Sequence, residues 1–186
     1  MPPSRSVLWR NLHTPGHDAA LVAPAPDGWL LSGAAAFLAP DGPVAVDYAV
    51  EIDADWSARR GRVAGIAAGR RFAHSIERTP DGWTLDGRHQ GLQHIVDLDF
   101  GFTPATNFQQ LSRIGLAVGE RSSFSVAWFD IGRETLVELP QIYERRDALL
   151  YAYQSPGNNY AAMLVMDESG FVRTYPELWE IEDQPA

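Results

Sequence analysis

Apolar and small or polar residues alternate with a period of two along several stretches, and turn signals separate those stretches about every ten residues. In "VAVDYAVEID" Val44, Val46, Tyr48, Val50 and Ile52 alternate with Ala45, Asp47, Ala49, Glu51 and Asp53, the pattern of a strand with one dry face. "SSFSVAWFDI" repeats it, with Phe124, Val126 and Trp128 facing one way and Ser123, Ser125 and Ala127 the other. "ALLYAYQS" and "YAAMLVMD" flank "PGNN" as a hairpin, and "FVRTYP" extends it to a meander.

The turn signals are "TPGHD", "PDGW", "APDGP", a second "PDGW", "PGNN" and "ESG". Short strands at this rhythm predict a mainly β fold: one curved antiparallel sheet forming an open or partly closed barrel, with little helix. A helical turn is expected near "TPATNFQQL" and another at "PELWEI", where proline suits a first helical position. "PDGWLLSG" and "PDGWTLDG" resemble each other, as a duplication would leave them. Pro-Asp-Gly turns leading into a strand explain them more simply. No low-complexity linker divides the chain, so residues 1–186 are read as a single β-rich domain.

Composition excludes several chemistries. Cysteine is absent, which removes disulfides, thiolate ligands and thiol catalysis. All 15 basic residues are arginine, so there is no lysine for a Schiff base or a Walker-type phosphate loop. A formal net charge of -9 repels phosphate backbones and anionic headgroups, so no nucleic acid partner is expected. The N-terminal "MPPSRSVLWRNLHTPGHDAA" lacks the apolar core of a signal peptide, and no stretch reaches the roughly 20 apolar residues of a membrane span. A cytoplasmic location is the expectation.

Candidate chemistry centres on "HIVDLDFGFTPATN". On a strand, Asp97 and Asp99 share one face with Ile95, while His94, Val96, Leu98 and Phe100 share the other. Carboxylates at that spacing approach the separation in retaining glycosidases, but neighbours on one strand face seldom flank a scissile bond. Structural bonds to the "FTPATN" turn, or ion pairs with Arg59 or Arg113, are the main competing account. "TPATN" itself reads as a rigid corner. His13 and His17 have a metal-binding spacing, but Pro15 and Gly16 between them argue for a turn. No cofactor and no metal is expected. Six tryptophans suit either a core or an aromatic-walled pocket. Trp56 beside Arg59 and Arg60 suits sugar stacking with an anion clamp.

The succession "DWSARRGRV", "DGWTLDG", "VDLDFGFTPATN", "LPQIYERR", "YAYQS" and "DESGFVRTYP" resembles the "Putative glycolipid-binding" family across nearly the whole chain. The resemblance implies a β-rich fold with an open curved sheet, similar in shape to bacterial lipoprotein carriers that hold acyl chains in a hydrophobic concavity. It also implies an amphipathic ligand, with family-typical residues at Trp56, Arg59, Asp97, Asp99, Thr103, Pro104, Thr106, Asn107, Trp128, Gln141, Tyr143, Tyr175 and Pro176. After Asn107 the family typically continues with a Leu-Pro-Ile-Arg-Arg-Leu-like run; this chain has "FQQLSRIGL" and keeps Arg113.

The expected ligand contacts are therefore Trp56, Arg59, Asp97, Asp99, Asn107, Arg113, Trp128, Gln141, Tyr143 and Tyr175. Three functions follow as expectations. The first is a binding protein that holds a glycolipid or lipid-like molecule in a β-lined pocket. The second is a carbohydrate- or ester-acting enzyme using Asp97 or Asp99, and the third is an assembly module without a small ligand.

Overall fold

The computed structural model describes residues 3–183; the first two residues and 184–186 of the expected domain lie outside the described residues. The strands are β1 (Arg5–Asn11), β2 (Gly16–Ala25), β3 (Gly28–Ala39), β4 (Gly42–Asp53), β5 (Ala58–Ala67), β6 (Arg70–Thr79), β7 (Gly82–Leu85) and β8 (Arg88–Gly91). After β9 (Leu98–Phe100) comes helix α1 (Thr106–Ile114). The remaining strands are β10 (Arg121–Phe129), β11 (Val137–Asp147), β12 (Leu150–Ser155), β13 (Tyr160–Met166), β14 (Val172–Tyr175) and β15 (Trp179–Ile181).

All 15 strands form one sheet in the order β8-β7-β6-β5-β4-β3-β2-β1-β15-β14-β13-β12-β11-β10-β9. Every neighbouring pair is antiparallel except β9 with β10. The sheet is not closed into a barrel: its two edges are the short strands β8 and β9, and short edges present few unpaired backbone groups. The segment between them crosses the gap, where Ala58 N–H donates to Val96 O at 2.9 Å and Ala127 N–H to Asp97 O at 2.8 Å.

Turn chemistry sets the hairpins. Pro26-Asp27, Pro40-Asp41 and Pro80-Asp81 are two-residue loops closed by the pairs Ala25↔Gly28, Ala39↔Gly42 and Thr79↔Gly82. The closing glycines have φ of 151°, 122° and 116°, a region that disfavours a Cβ. The two "PDGW" segments are thus two uses of one turn. In β4 the inward side chains Val44, Val46, Tyr48, Val50 and Ile52 are all buried, as the alternation requires.

The concave side of the sheet is occupied by the chain itself. Leu98 and Phe100 are fully buried, and Phe102, Ala105 and Phe108 follow them into the same core. Gly61 on β5 makes room, since a Cβ there would lie 2.4 Å from Leu98 Cδ2 and 3.2 Å from Phe100 Cζ. Six consecutive helical residues, Thr106 to Leu111, are buried, so α1 is wrapped on several sides rather than lying on a surface. This corrects the expected acyl-holding concavity: the space that would take a tail is filled by β9, α1 and aromatic side chains.

Two local expectations are also corrected. Only Leu98–Phe100 of "HIVDLDF" is strand, and Ile95, Asp97, Leu98, Asp99 and Phe100 are all buried, because from Ile95 onward the segment runs into the interior, with Val96 part-buried and only His94 exposed. "PELWEI" is a turn followed by β15 rather than a helix. There Trp179 pairs with Tyr175 and Asn11, so its backbone belongs to the sheet. The helix near "TPATNFQQL" does form. The Ala105 N–H donates to Thr103 Oγ1 at its entry, and Gly115, with φ 54°, ends it by donating to Leu111 O. No helix among the described residues is long and apolar enough to cross a membrane.

Candidate functional site

Asp99 sits on β9 opposite Trp128 in the parallel ladder. Its Oδ1 accepts from the Thr106 hydroxyl at 2.5 Å and its Oδ2 from Gln141 Nε2 at 2.9 Å. Burial pushes the Asp99 carboxyl above the usual carboxylate range, against the pull of hydrogen bonds from Thr106, Gln141 and Gln110.

Beside Asp99 opens a cavity of about 250 Å³. Asp99, Thr103 and Asn107 from the central segment form one side of it, and Tyr153, Ser155, Tyr160 and Tyr175 from β12–β14 another. Trp128, Leu139 and Trp179 complete the apolar wall. The tyrosines pack on each other, Tyr153 edge-on to Tyr175 at 5.8 Å and Tyr160 against Tyr175 at 5.7 Å. Tyr160 Oη donates to Pro176 O at 2.6 Å, which fixes the turn before β15 at the rim. Burial pushes the phenols of Tyr153 and Tyr175 up, and that of Tyr160 to about 12, so these phenols stay neutral.

Two buried polar atoms here have no partner: Ser155 Oγ, on a residue of the cavity wall, and Gln141 Oε1, on the amide that holds Asp99. Ser155 is 2% exposed and Gln141 1%. Both atoms are sealed from the cavity, and the Tyr153 phenol on the same strand is the nearest group within bonding reach of Ser155.

The model of the family described as "Putative glycolipid-binding" matches residues 6–180. The chain belongs to this family. It is also similar to a crystal structure of a DUF1089 family protein from Pseudomonas aeruginosa, with 26% identity over 97% of this chain and 92% of that chain and a TM-score of 0.68. Comparison with curated proteins gives no significant match.

Of the residues that the resemblance to the glycolipid-binding family singles out, Asp99, Thr103, Pro104, Asn107, Trp128 and Tyr175 border the cavity. Gln141 and Tyr143 lie behind it. Tyr143 Oη accepts from Asn107 Nδ2 at 2.6 Å and donates to Gln110 Oε1 at 3.3 Å, which aims Asn107. Asp97 and Arg113 instead form an ion pair further along the same face of α1, joined by Gln109 Nε2 at 2.8 Å from Asp97 Oδ1. Trp56 and Arg59 do not border the cavity. Trp56 stacks on Trp29 at 4.5 Å, and Arg59 faces Glu51 and Asp53 at 3.4 and 3.3 Å. Arg60 is likewise held, by Glu77.

The acid pair therefore divides. Asp97 is neutralised by an arginine, and Asp99 is the one acid bordering the cavity, with no histidine beside it among the described residues. His94 is exposed and meets Glu138 at 3.2 Å. An acid–base mechanism needs a second group across the cleft; the lining holds no second carboxyl and no histidine, and burial pushes its three phenols up. Among the described residues no three His, Asp or Glu side chains gather as metal ligands.

Tyr153, Ser155, Tyr160 and Trp179 were missed as site residues from the sequence. A signal existed: in "LYAYQS" the period of two puts Tyr151, Tyr153 and Ser155 on one face, and a serine at the end of an inward aromatic row stands out. Asp18 was missed too, though Asp18, Ala20 and Val22 alternate inward along β2. It is fully buried, accepting from the Tyr48 hydroxyl at 3.0 and 2.9 Å and from the Thr103 hydroxyl.

Proposed function

We propose that this is a cytoplasmic binding protein for a glycolipid or lipid-like amphipathic molecule, and that it grips the headgroup rather than swallowing the tail. The carrying observation is the aromatic-walled cavity bordered by Asp99, Thr103 and Asn107. Its volume of about 250 Å³ falls under the range of about 300–1,000 Å³ for drug-sized ligands, so it suits a headgroup. β9 and α1 occupy the concave side of the sheet, so the tail is assigned to the outside. Leu139, Leu178 and Trp179 give the cavity an apolar border along which the first methylenes of a tail would lie.

Native mass spectrometry of protein purified from its own host, followed by extraction of bound lipid, tests this reading. One amphiphile per chain is expected. Protein that carries none, and gains none when offered neutral, zwitterionic and anionic amphiphiles, would overturn it.

A second reading rests on the outer face of the sheet, where Leu8, Leu21, Leu38 and Ile66 are exposed among alanines of β2–β5. A broad depression of about 860 Å³ lies there, bordered by Leu8, Ala19, Leu21 and Ala34. Such a face suits assembly, and light scattering after size exclusion would show it as a species larger than one chain.

A further inference from the structure

We infer that the outer face of β1–β6 is a self-complementary interface, on which two copies of this chain pack about a two-fold axis with Asp47 of each copy against Arg71 of the other. The inference rests on the assembly reading above and gives it a partner and a register.

The make-up of the face is the first ground. Leu8, Ala19, Ala34, Asp47, Ala64 and Ala73 stand in one row across β1–β6, each opposite the next, and all are exposed. The rows on either side add Leu21, Ala36, Ala45 and Ile66, exposed as well. Apolar side chains adjoining on neighbouring strands make a continuous patch, unlike the scattered singles of an ordinary surface. Alanine loses no rotamer freedom on burial, and its short side chain lets a second sheet come close. β1–β6 measure about 24 Å across, and β2–β6, of 10 to 12 residues each, about 34 Å along. A face of that size offers the ~800 Å² per partner of a stable interface.

Charge is the second. The chain as a whole carries -9, which opposes self-association. This face carries almost none of it: on β4–β6 the outward acids Asp47, Glu51 and Glu77 are matched by Arg60, Arg62 and Arg71. Arg60 holds both Glu51 and Glu77. Asp47 and Arg71 are in no ion pair among the described residues, although both border one depression with Ala64 and Ala73.

Their placement suits a two-fold. Asp47 on β4 is opposite Ala64 on β5, which is opposite Ala73 on β6, and Arg71 is the next outward residue along β6. That separates the two positions by roughly 10 Å across the strands and roughly 7 Å along them. An axis in the plane of the face, midway between them, exchanges the two positions. Each acid then meets the other copy's arginine, and the contact is made twice, as an isologous interface requires. Charge pairs set among alanines fix the register of one sheet on the other.

Size exclusion with light scattering tests this on the full chain, on Asp47→Arg, on Arg71→Asp and on the double exchange. The unaltered chain is expected to elute as a dimer. Each single change puts like charges together twice and should raise the dimer's dissociation constant at least about tenfold, whereas the double exchange reverses both pairs and should restore it. Both side chains are exposed, so thermal midpoints of the four proteins, taken at a dilution where all are monomers, should agree. A monomeric unaltered chain would overturn this inference and the assembly reading together. A dimer that survives either single change, or that the double exchange does not restore, would overturn the Asp47–Arg71 pairing and leave the assembly reading standing.

Discussion

Arg113 holds Asp97 by both carboxylate oxygens, with Nε 2.7 Å from Oδ1 and Nη2 2.6 Å from Oδ2. Asp97 is 1% exposed and the Arg113 side chain 24%, so the pair is shielded on the acid's side. Removing one partner of a buried pair strands a charge and costs about 3–5 kcal/mol. Arg113→Ala should lose that much in urea unfolding, and Asp97→Asn combined with Arg113→Leu should lose less than Arg113→Ala alone. A double variant as unstable as the single one would contradict a stranded charge.

Asp18 gives the stability a pH dependence. Burial raises its carboxyl from 3.8 to about 6, against hydrogen bonds from Thr103 and Tyr48. The folded form therefore holds this proton more tightly than the unfolded chain does, so the contribution from this group is greatest below about pH 4 and falls as pH rises to about 6. The shift of roughly two pH units corresponds to ~3 kcal/mol. Asp18→Asn should remove that fall. The difference in unfolding free energy between the two proteins, measured from pH 4 to 7, should change across the window; a constant difference would refute the assignment.

Gly61 carries the fit of the central segment. A methyl there would meet Leu98 Cδ2 at 2.4 Å, and overpacking of a filled core costs about 1–3 kcal/mol. Gly61→Ala should lower the thermal midpoint, and Gly61→Ala with Leu98→Val should recover part of the loss by vacating the space. Failure of the second change to help would place the cost elsewhere.

Tyr143→Phe tests the support of Asn107. The substitution strips a partner from both Asn107 Nδ2 and Gln110 Oε1, at a cost of about 1–3 kcal/mol for each buried group left unpaired. Urea unfolding should show the loss, and titration with octyl glucoside, a glycolipid-like amphiphile, should show weaker binding because Asn107 is no longer aimed. A variant with wild-type stability would mean that water or a shifted side chain replaces the phenol.

How legible this was from sequence depends on the range of the interactions. β4, β10 and the β12–β13 hairpin follow from local alternation and turn residues, which act within a few positions. Asp97 and Asp99 show the limit. Their pairing with Arg113 and Thr106 follows from short spacings around the "TPATN" corner, and both were among the alternatives open to the sequence. That one acid faces a cavity and the other an arginine depends on how α1 lies along this segment inside the sheet, which no local pattern encodes. The same holds for Trp56 and Arg59: adjacency in sequence suggested a joint clamp, but β3 supplies Trp29 to one and β4 supplies Glu51 and Asp53 to the other. Ser155 lies within a readable face, yet its place beside Asp99 depends on β9 and β12 meeting across the cavity, which only the packed interior reveals.

The pairing of β1 with β15 has a further consequence. Residues near the two ends of the chain lie side by side in mid-sheet, where Glu182 N–H donates to Leu8 O at 2.8 Å, while both sheet edges come from the middle of the sequence. The backbone is thus nearly a closed circuit with an arbitrary starting point. A short tether between the ends, with a new break in the exposed turn at Gly132–Glu134, would give a circular permutant whose strand order in space is unaltered.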